Sequence, residues 1–113
     1  MAIGALFHLN ESSPDKQRTA LRSIHNLKTE MPDLPIELVV QGDAINIVVA
    51  KTSILAGEIH ELQQNGLSVT VCRNTMLAKH VQESDLLPNM TIVPSAVGRL
   101  VQQQQKGFSY VKP

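Results

Sequence analysis

The chain has 113 residues, of which 42% are hydrophobic and 18% charged, a composition typical of a globular domain and too apolar for lasting disorder. Ten Lys and Arg residues balance ten Asp and Glu residues, and 3% of residues are aromatic, which argues against nucleic acid as a partner. One cysteine excludes an internal disulfide, and there is no basic leader and no apolar run of about 20 residues. We therefore expect residues 1–113 to form a single cytoplasmic domain without a membrane partner.

The first third of the chain predicts a strand, a helix and a second strand. Residues 2–7 are apolar and predict a buried strand. Ser13 followed by Pro14 marks a helix start, after which apolar residues recur at spacings of three and four until Pro32 stops the pattern. Residues 36–40 predict the second strand because they are rich in apolar and β-branched side chains.

The middle of the chain contains one segment with two interpretations. In residues 44–50 the β-branched side chains favour a strand, whereas Asp43 suits the N-cap of a buried helix, and we predict the helix. A further helix follows and ends at Asn65 and Gly66, a pair that commonly supplies a left-handed stop. Valines then alternate with polar residues and predict a third strand that ends at Cys72.

The sequence after Cys72 continues the alternation of helices and strands. We expect Asn74 to cap a short helix over residues 75–81, residues 85–88 to form a turn, and residues 90–93 to form a fourth strand. These segments are short, so their connections must be tight.

A last helix is predicted to begin at Pro94 and Ser95 and to close at Lys106 and Gly107, before a final strand at residues 108–111. We expect its inward-facing residues to be Val97, Leu100 and Val101. We expect the glutamines at positions 102–105 to form a solvated helix surface, with an oligomer contact as the alternative. Repeated strand–helix units are typical of a mostly parallel sheet with helices on both faces and right-handed crossovers.

The candidate site follows from this topology, because ligands of open parallel sheets bind beyond the carboxyl ends of the strands. Polar and turn residues lie at or just after the predicted strand ends and should share one edge of the sheet: His8, Asn10, Gln41, Gly42, Asp43, Cys72, Arg73, Asn74, Thr75, Pro94 and Ser95. Cys72 is the leading candidate because it ends a strand and precedes a helix whose N–H groups favour a thiolate. Arg73 adds a cation that lowers the thiol pKa. Alternatively, Cys72 is a small buried hydrophobic residue at the end of its strand.

The other residues of this edge each have a functional and a structural interpretation. Asn74 and Thr75 can donate hydrogen bonds to sulfur or substrate, although Asn74 also suits an N-cap. His8 is either a base or a hydrogen-bonded structural residue. Gly42 allows a close backbone approach to a ligand or forms a tight turn, and Asp43 suits a cap.

Signatures of metal and nucleotide sites are missing from the sequence. The segment that begins with His60 and Glu61 has Gln64 where a zinc protease helix needs its second histidine. Ser95 lacks the Gly-x-Ser-x-Gly setting of a hydrolase nucleophile and therefore suits a helix start. Neither glycine-rich nucleotide motif occurs. We expect no metal and no cofactor.

The second half of the chain resembles the DsrE/DsrF-like family. The resemblance rests on four segments, namely Gly66-Leu67-Ser68-Val69-Thr70-Val71-Cys72-Arg73-Asn74-Thr75, Asp85-Leu86-Leu87-Pro88, Val93-Pro94-Ser95 and Gly107-Phe108-Ser109-Tyr110-Val111-Lys112-Pro113. It covers residues 36–113 well, and residues 1–35 mainly in their strand–helix pattern. It implies a three-layer α/β/α sandwich around a five-stranded, mostly parallel sheet, assembled as homotrimers or hexamers.

The resemblance also implies an activity. Members of the sulfur-relay branch carry sulfur as a persulfide on a cysteine that corresponds to Cys72, and they work with sulfur donor and acceptor proteins. Two positions differ from the family pattern, since Gln41 replaces a common histidine and Ala96 replaces a common glycine. We expect a sulfur-relay or thiol-redox protein whose Cys72 is ionised and open to solvent. The alternative is a non-catalytic small-ligand-binding or assembly protein in which Cys72 is structural.

Overall fold

The computed structural model describes residues 2–113 and contains one five-stranded sheet. Its strands are β1 (Gly4–Leu9), β2 (Ile36–Val40), β3 (Ser68–Cys72), β4 (Met90–Val93) and β5 (Phe108–Val111). Their order is β4-β3-β2-β1-β5, and each neighbouring pair is parallel. The mostly parallel sheet of the sequence prediction is therefore entirely parallel over these strands, and all five carboxyl ends lie at one edge.

Helical segments cover both faces of the sheet and make a three-layer α/β/α sandwich, as predicted. The α-helices are α1 (Pro14–Glu30), α2 (Ala56–Gln64), α3 (Arg73–Ala78) and α4 (Ala96–Gln105), and two 3-10 helices span Gly42–Val48 and Glu83–Asp85. Residues of α1, α2, α3 and the first 3-10 helix share the larger core with one face of the sheet. Helix α4 covers the other face and packs there on the smaller core.

The two faces differ in chemistry because side chains alternate along each strand. On β1, Ala5, Phe7 and Leu9 enter the larger core, whereas Leu6 enters the smaller one. Burying a leucine or phenylalanine side chain contributes about 1.5–3 kcal/mol to folding, so the larger core supplies most of the apolar driving force. No helix described in residues 2–113 is long and apolar enough to cross a bilayer.

Several element predictions are confirmed. Strands β2, β4 and β5 have their predicted bounds. Ser13 caps α1, since its Oγ accepts the Lys16 N–H at 3.4 Å. Asn65 ends α2, and Gly66 has a φ of 102°, the left-handed conformation that the sequence predicts at this stop.

The bounds of the first strand and of the segment after β2 differ from the prediction. The first strand is Gly4–Leu9 and not residues 2–7, because the polar His8 lies on the less covered face while Leu9 returns to the larger core. The segment predicted as a helix over 44–50 is the 3-10 helix Gly42–Val48. Polar residues therefore mark a strand end poorly when only one face is fully covered.

Two predicted caps are wrong. Gln41, and not Asp43, is the N-cap of the first 3-10 helix; Asp43 lies in its first turn, where its Oδ1 accepts from Lys79 Nζ at 2.7 Å. Cys72, and not Asn74, precedes α3, because the chain passes from β3 into the helix without a loop. The helix then ends before His80, which has a φ of 57°, and so it stops short of the predicted residue 81.

The orientation predicted for α4 is wrong in part. Leu100 is buried, but Val97 is 60% exposed and Val101 is 51% exposed. Gln103, expected in solvent, is instead buried and donates from Nε2 to Glu37 Oε1 at 2.7 Å. The sheet face under α4 carries a buried carboxylate, so the helix directs polar side chains toward it. Val97 and Val101 therefore remain exposed to solvent.

A matched pair of glycine variants tests the packing of this face. A Cβ at Gly4 would overlap the ring of Phe108, so Gly4→Ala forces the ring away and should lower the free energy of unfolding by about 1–3 kcal/mol. Gly57, in α2, has open space within 4 Å of the position that a methyl group would take, so Gly57→Ala should raise it by about 0.5–1 kcal/mol. Urea titration measures both, and equal stability of the two variants would contradict this packing.

Candidate functional site

The carboxyl edge of the sheet brings several predicted site residues into contact. His8 Nε2 and Gln41 Oε1 are 2.7 Å apart. The Gly42 N–H donates to Thr75 Oγ1 at 2.9 Å. The end of β1, the residues that follow β2 and the first turn of α3 are thus joined at this edge, as the parallel topology predicts.

Cys72 lies where two helices begin. It is the last residue of β3 and directly precedes α3. Its Sγ accepts a hydrogen bond at 3.3 Å from the N–H of Ala96, the first residue of α4. The first N–H groups of a helix lack partners within the helix and carry partial positive charge. The sulfur therefore lies at the start of its own helix and receives an N–H donor from a second helix that is remote in sequence.

These donors decide the ionisation of the thiol. Burial raises the pKa of Cys72, but hydrogen bonds from the Thr75 side chain and from the backbone N–H groups of Thr75, Ala96 and Asn74 outweigh it, so the pKa lies below that of an ordinary thiol. A larger thiolate fraction near neutral pH follows, and the thiolate is the nucleophilic form of cysteine.

Thr75 links the sulfur to the loop after β2. Its Oγ1 accepts the Gly42 N–H, so its hydroxyl proton is available to the Cys72 sulfur. Gly42 has a φ of 58°, a conformation that glycine adopts at little cost and that turns its N–H toward Thr75. Accepting one hydrogen bond polarises the hydroxyl and strengthens it as a donor.

The thiol is not open to solvent. Cys72 is 3% exposed and belongs to the smaller core with Leu6, Val39, Ala96 and Leu100. The expectation of a solvent-accessible sulfur is therefore wrong for this chain taken alone, because α4 covers the end of β3. A reagent reaches the sulfur only when these side chains move.

Arg73 does not act on Cys72 as the sequence suggested. Its Nη2 lies 2.8 Å from Glu83 Oε1 in an ion pair whose side chains are 43% and 64% exposed. The guanidinium is thus paired with the start of the second 3-10 helix and is neutralised there. The Thr75 hydroxyl and backbone N–H groups lower the pKa of the Cys72 thiol instead.

His8 forms a separate hydrogen-bonded chain. Its Nδ1 is 2.8 Å from the Tyr110 hydroxyl, and its Nε2 is 2.7 Å from Gln41 Oε1. An amide oxygen only accepts, so Nε2 carries the proton and Nδ1 accepts from the Tyr110 hydroxyl. Both ring nitrogens are therefore occupied, which favours the structural interpretation of His8. Tyr110 was not singled out from the sequence, although its segment belongs to the family resemblance.

The remaining predicted residues lie at the edge in structural roles. Asn10 Oδ1 accepts from Lys112 Nζ at 2.9 Å. Ser95 is the N-cap of α4, and its Oγ accepts the Gly98 N–H at 2.9 Å. Pro94 is exposed and connects β4 to this cap, while Asn74 is exposed within the first turn of α3.

Two cavities in the described part of the chain lie away from the sulfur. A cavity of about 690 Å³ lies between α1 and α2 and is lined by side chains that include Arg22, His25, Glu58 and Glu61. A second, of about 380 Å³, is lined by Asp43 and Lys79 among others. Cys72 lines neither of them. Residues 2–113 contain no cluster of three or more His, Cys, Asp or Glu side chains arranged to hold a metal ion.

The sheet order and its edge define a parallel three-layer α/β protein in which a cysteine ends the third strand, precedes α3 and accepts an N–H from the start of α4. The model of the DsrE/DsrF-like family matches residues 3–113, and the chain belongs to this family. No curated protein matches the chain.

Solved structures share the fold over nearly the whole chain. A protein of unknown function from Methanobacterium thermoautotrophicum is 28% identical, with a TM-score of 0.92 over 96% of this chain and 97% of that one. The ychN protein from E. coli is 13% identical, with a TM-score of 0.86 over 100% of both chains. A conserved protein of unknown function from Bacteroides thetaiotaomicron is 16% identical, with a TM-score of 0.80 over 98% and 95%. The last two likenesses concern the fold alone.

Variants of Thr75 test the donors around the sulfur. Thr75→Val removes the hydroxyl and nearly keeps the side-chain shape, so the pKa of Cys72 should rise and the pH profile of its alkylation should move to higher pH. Thr75→Ser keeps the hydroxyl and should leave the profile close to that of the wild type. Rates measured with iodoacetamide over a pH series give both inflections, and coinciding profiles for the valine variant and the wild type would remove Thr75 from the site.

Proposed function

We propose that this protein is a sulfur-relay or thiol-redox protein that carries sulfane sulfur as a persulfide on Cys72. One observation carries the proposal: the sulfur lies at the start of α3 and accepts the N–H of Ala96, the first residue of α4, at 3.3 Å, surroundings that stabilise a thiolate. Membership of the DsrE/DsrF-like family supports the same function.

The transfer needs no oxidant or metal because each step exchanges one sulfur–sulfur bond for another. The Cys72 thiolate attacks the terminal sulfur of a donor persulfide, the sulfur–sulfur bond of the donor breaks, and the donor leaves as a thiolate that takes up a proton. An acceptor thiolate later attacks the terminal sulfur on Cys72, which restores the Cys72 thiolate. Since Cys72 is the only cysteine of the chain, the donor and acceptor thiols must belong to other molecules.

Burial of the sulfur sets a condition on this exchange. With Cys72 3% exposed, the donor and acceptor must displace the apolar side chains around it, or meet a conformation in which α4 has moved. The same cover keeps water and oxidants from a bound persulfide between the two steps. The N–H groups that stabilise the thiolate also suit the anionic terminal sulfur of the persulfide.

A second candidate function is favoured by the same burial. In this second function, Cys72 packs with Leu6, Val39 and Leu100 and has no role beyond filling the smaller core. The protein would then be a non-catalytic small-ligand-binding or assembly protein of this fold. The two functions differ in the reactivity of Cys72: rapid alkylation near neutral pH favours the carrier, whereas slow alkylation with an inflection at about 8.5 favours the packing role.

We also propose that residues 1–113 act as one cytoplasmic domain that assembles as a homotrimer or hexamer. Helix α4 packs on the smaller core, and its exposed Val97 and Val101, four residues apart, form one apolar stripe on the outer side. Ile3 and Tyr110, 51% and 42% exposed, add apolar surface near β1 and β5. We assign this apolar surface to contact with a second copy of the chain.

Sulfur loading tests the carrier function. Incubation with a sulfane donor, such as a small organic persulfide, should add the mass of one sulfur atom to the intact protein, and treatment with excess thiol should remove it. Cys72→Ser should take up none, because no other cysteine is present. Equal uptake by the two proteins, or none by the wild type, would contradict the proposal and favour the structural role.

Light scattering after size-exclusion chromatography tests the assembly. The wild type should have the mass of a trimer or hexamer, and the double variant Val97→Glu with Val101→Glu should be a monomer, because charges on the stripe disfavour its burial. Ile54 is 57% exposed and lies just before α2, so Ile54→Glu adds a charge elsewhere and should leave the mass unchanged. A monomeric wild type would refute the assembly.

A further inference from the structure

A buried carboxylate lies in the central strand of the sheet. The Glu37 side chain is 4% exposed, and β2, which carries it, has two strands on either side. A charged group in such a position is costly unless it is fully paired and hydrogen-bonded. The role of Glu37 must therefore be sought in its partners.

These partners come from two elements. Thr70 of β3 donates from Oγ1 to Glu37 Oε2 at 2.7 Å. Arg99 of α4 donates from Nε to Oε2 at 2.9 Å and from Nη2 to Oε1 at 3.2 Å. Gln103 of α4 donates from Nε2 to Oε1 at 2.7 Å. The carboxylate thus binds one neighbouring strand and, with two side chains, the helix above it.

Both elements that Glu37 contacts also contribute groups at the sulfur. Thr70 precedes Cys72 by two residues on β3 and so lies on the same face of the sheet. Arg99 lies within one turn of Ala96, whose N–H reaches the sulfur at 3.3 Å. A shift of α4 along or around its axis would therefore move the Ala96 N–H away from Cys72.

We propose that Glu37 is a positioning residue for Cys72: by holding Arg99 and Gln103, it fixes the height and rotation of α4 at which the Ala96 N–H points at the sulfur. This inference rests on the proposed function, because the contact matters to activity only if Cys72 works as a thiolate. Glu37 itself does not touch the sulfur and is not a catalytic residue.

The exposed valines of α4 support this assignment. If apolar burial set the rotation of the helix, Val97 and Val101 would face the sheet with Leu100. Instead they are 60% and 51% exposed, while Gln103 is buried. Turning the helix to bury the valines would take Arg99 and Gln103 away from Glu37 and leave a buried charge unpaired. The polar contacts therefore decide the orientation.

Two variants that weaken these contacts test the proposal through the thiol. Glu37→Gln removes the charge with little change of shape, and Arg99→Lys keeps the charge but loses the two-pronged contact. Both should move the alkylation profile of Cys72 to higher pH, with a rate about three- to tenfold lower below the inflection, since one pKa unit corresponds to a tenfold change in thiolate. Arg99→Lys keeps the test usable if Glu37→Gln does not fold.

Ile24→Val supplies the control for general destabilisation. Ile24 is buried in α1 in the larger core, on the other face of the sheet, so its loss of a methyl group should lower stability and leave the thiol profile unchanged. A wild-type inflection at or above about 8.5, the value of a free cysteine, would overturn the proposed function itself. A low wild-type inflection that neither Glu37→Gln nor Arg99→Lys moves would overturn the positioning role alone.

Discussion

Five strands that all run in one direction need crossover connections that return the chain to the same end of the sheet, and this constraint organises the molecule. Helices supply those connections and cover the two faces. The carboxyl ends then meet at one edge, where residues at or just after the strand ends make hydrogen bonds across more than thirty positions of sequence, as between His8 and Gln41 and between Gly42 and Thr75. An antiparallel sheet would divide the same residues between two edges.

The unequal cover of the two faces explains most of what is unusual in this chain. One face is apolar and packs under α1, α2, α3 and a 3-10 helix, so its geometry follows from burial. The other face packs under α4 and carries Glu37 and Thr70, so hydrogen bonds direct the packing there. Two valines of α4 remain exposed as a consequence.

Cys72 combines two properties that oppose each other. Its burial disfavours a charged sulfur, whereas the N–H groups of two helix starts and a hydroxyl favour it, and the hydrogen bonds prevail. A carrier of reactive sulfur benefits from both, because the donors hold the anion and the cover limits its side reactions. In the proposed exchange, the side chains that cover the sulfur must be displaced or α4 must move.

Periodicity and turn residues were enough to place most elements and the edge at which they end. Three of these signals are local: the alternation of valines up to Cys72, the cap at Ser13 and the stop at Asn65 and Gly66. Each depends only on residues close together in the sequence and can therefore be recognised without the fold. The first strand was misjudged because His8 is polar, although only the cover of the face decides whether a polar residue belongs to a strand.

The sequence by itself thus determined the parallel sandwich and the position of Cys72 at a strand end, because both follow from patterns within short segments. Tertiary structure alone decided that the sulfur is buried, that Ala96 donates to it from 24 residues away, and that Glu37 pairs with Arg99 across 62 residues. Such contacts depend on how α4 turns over the sheet. That rotation is a balance between apolar burial and the pairing of a buried charge, and no pattern within the helix encodes it.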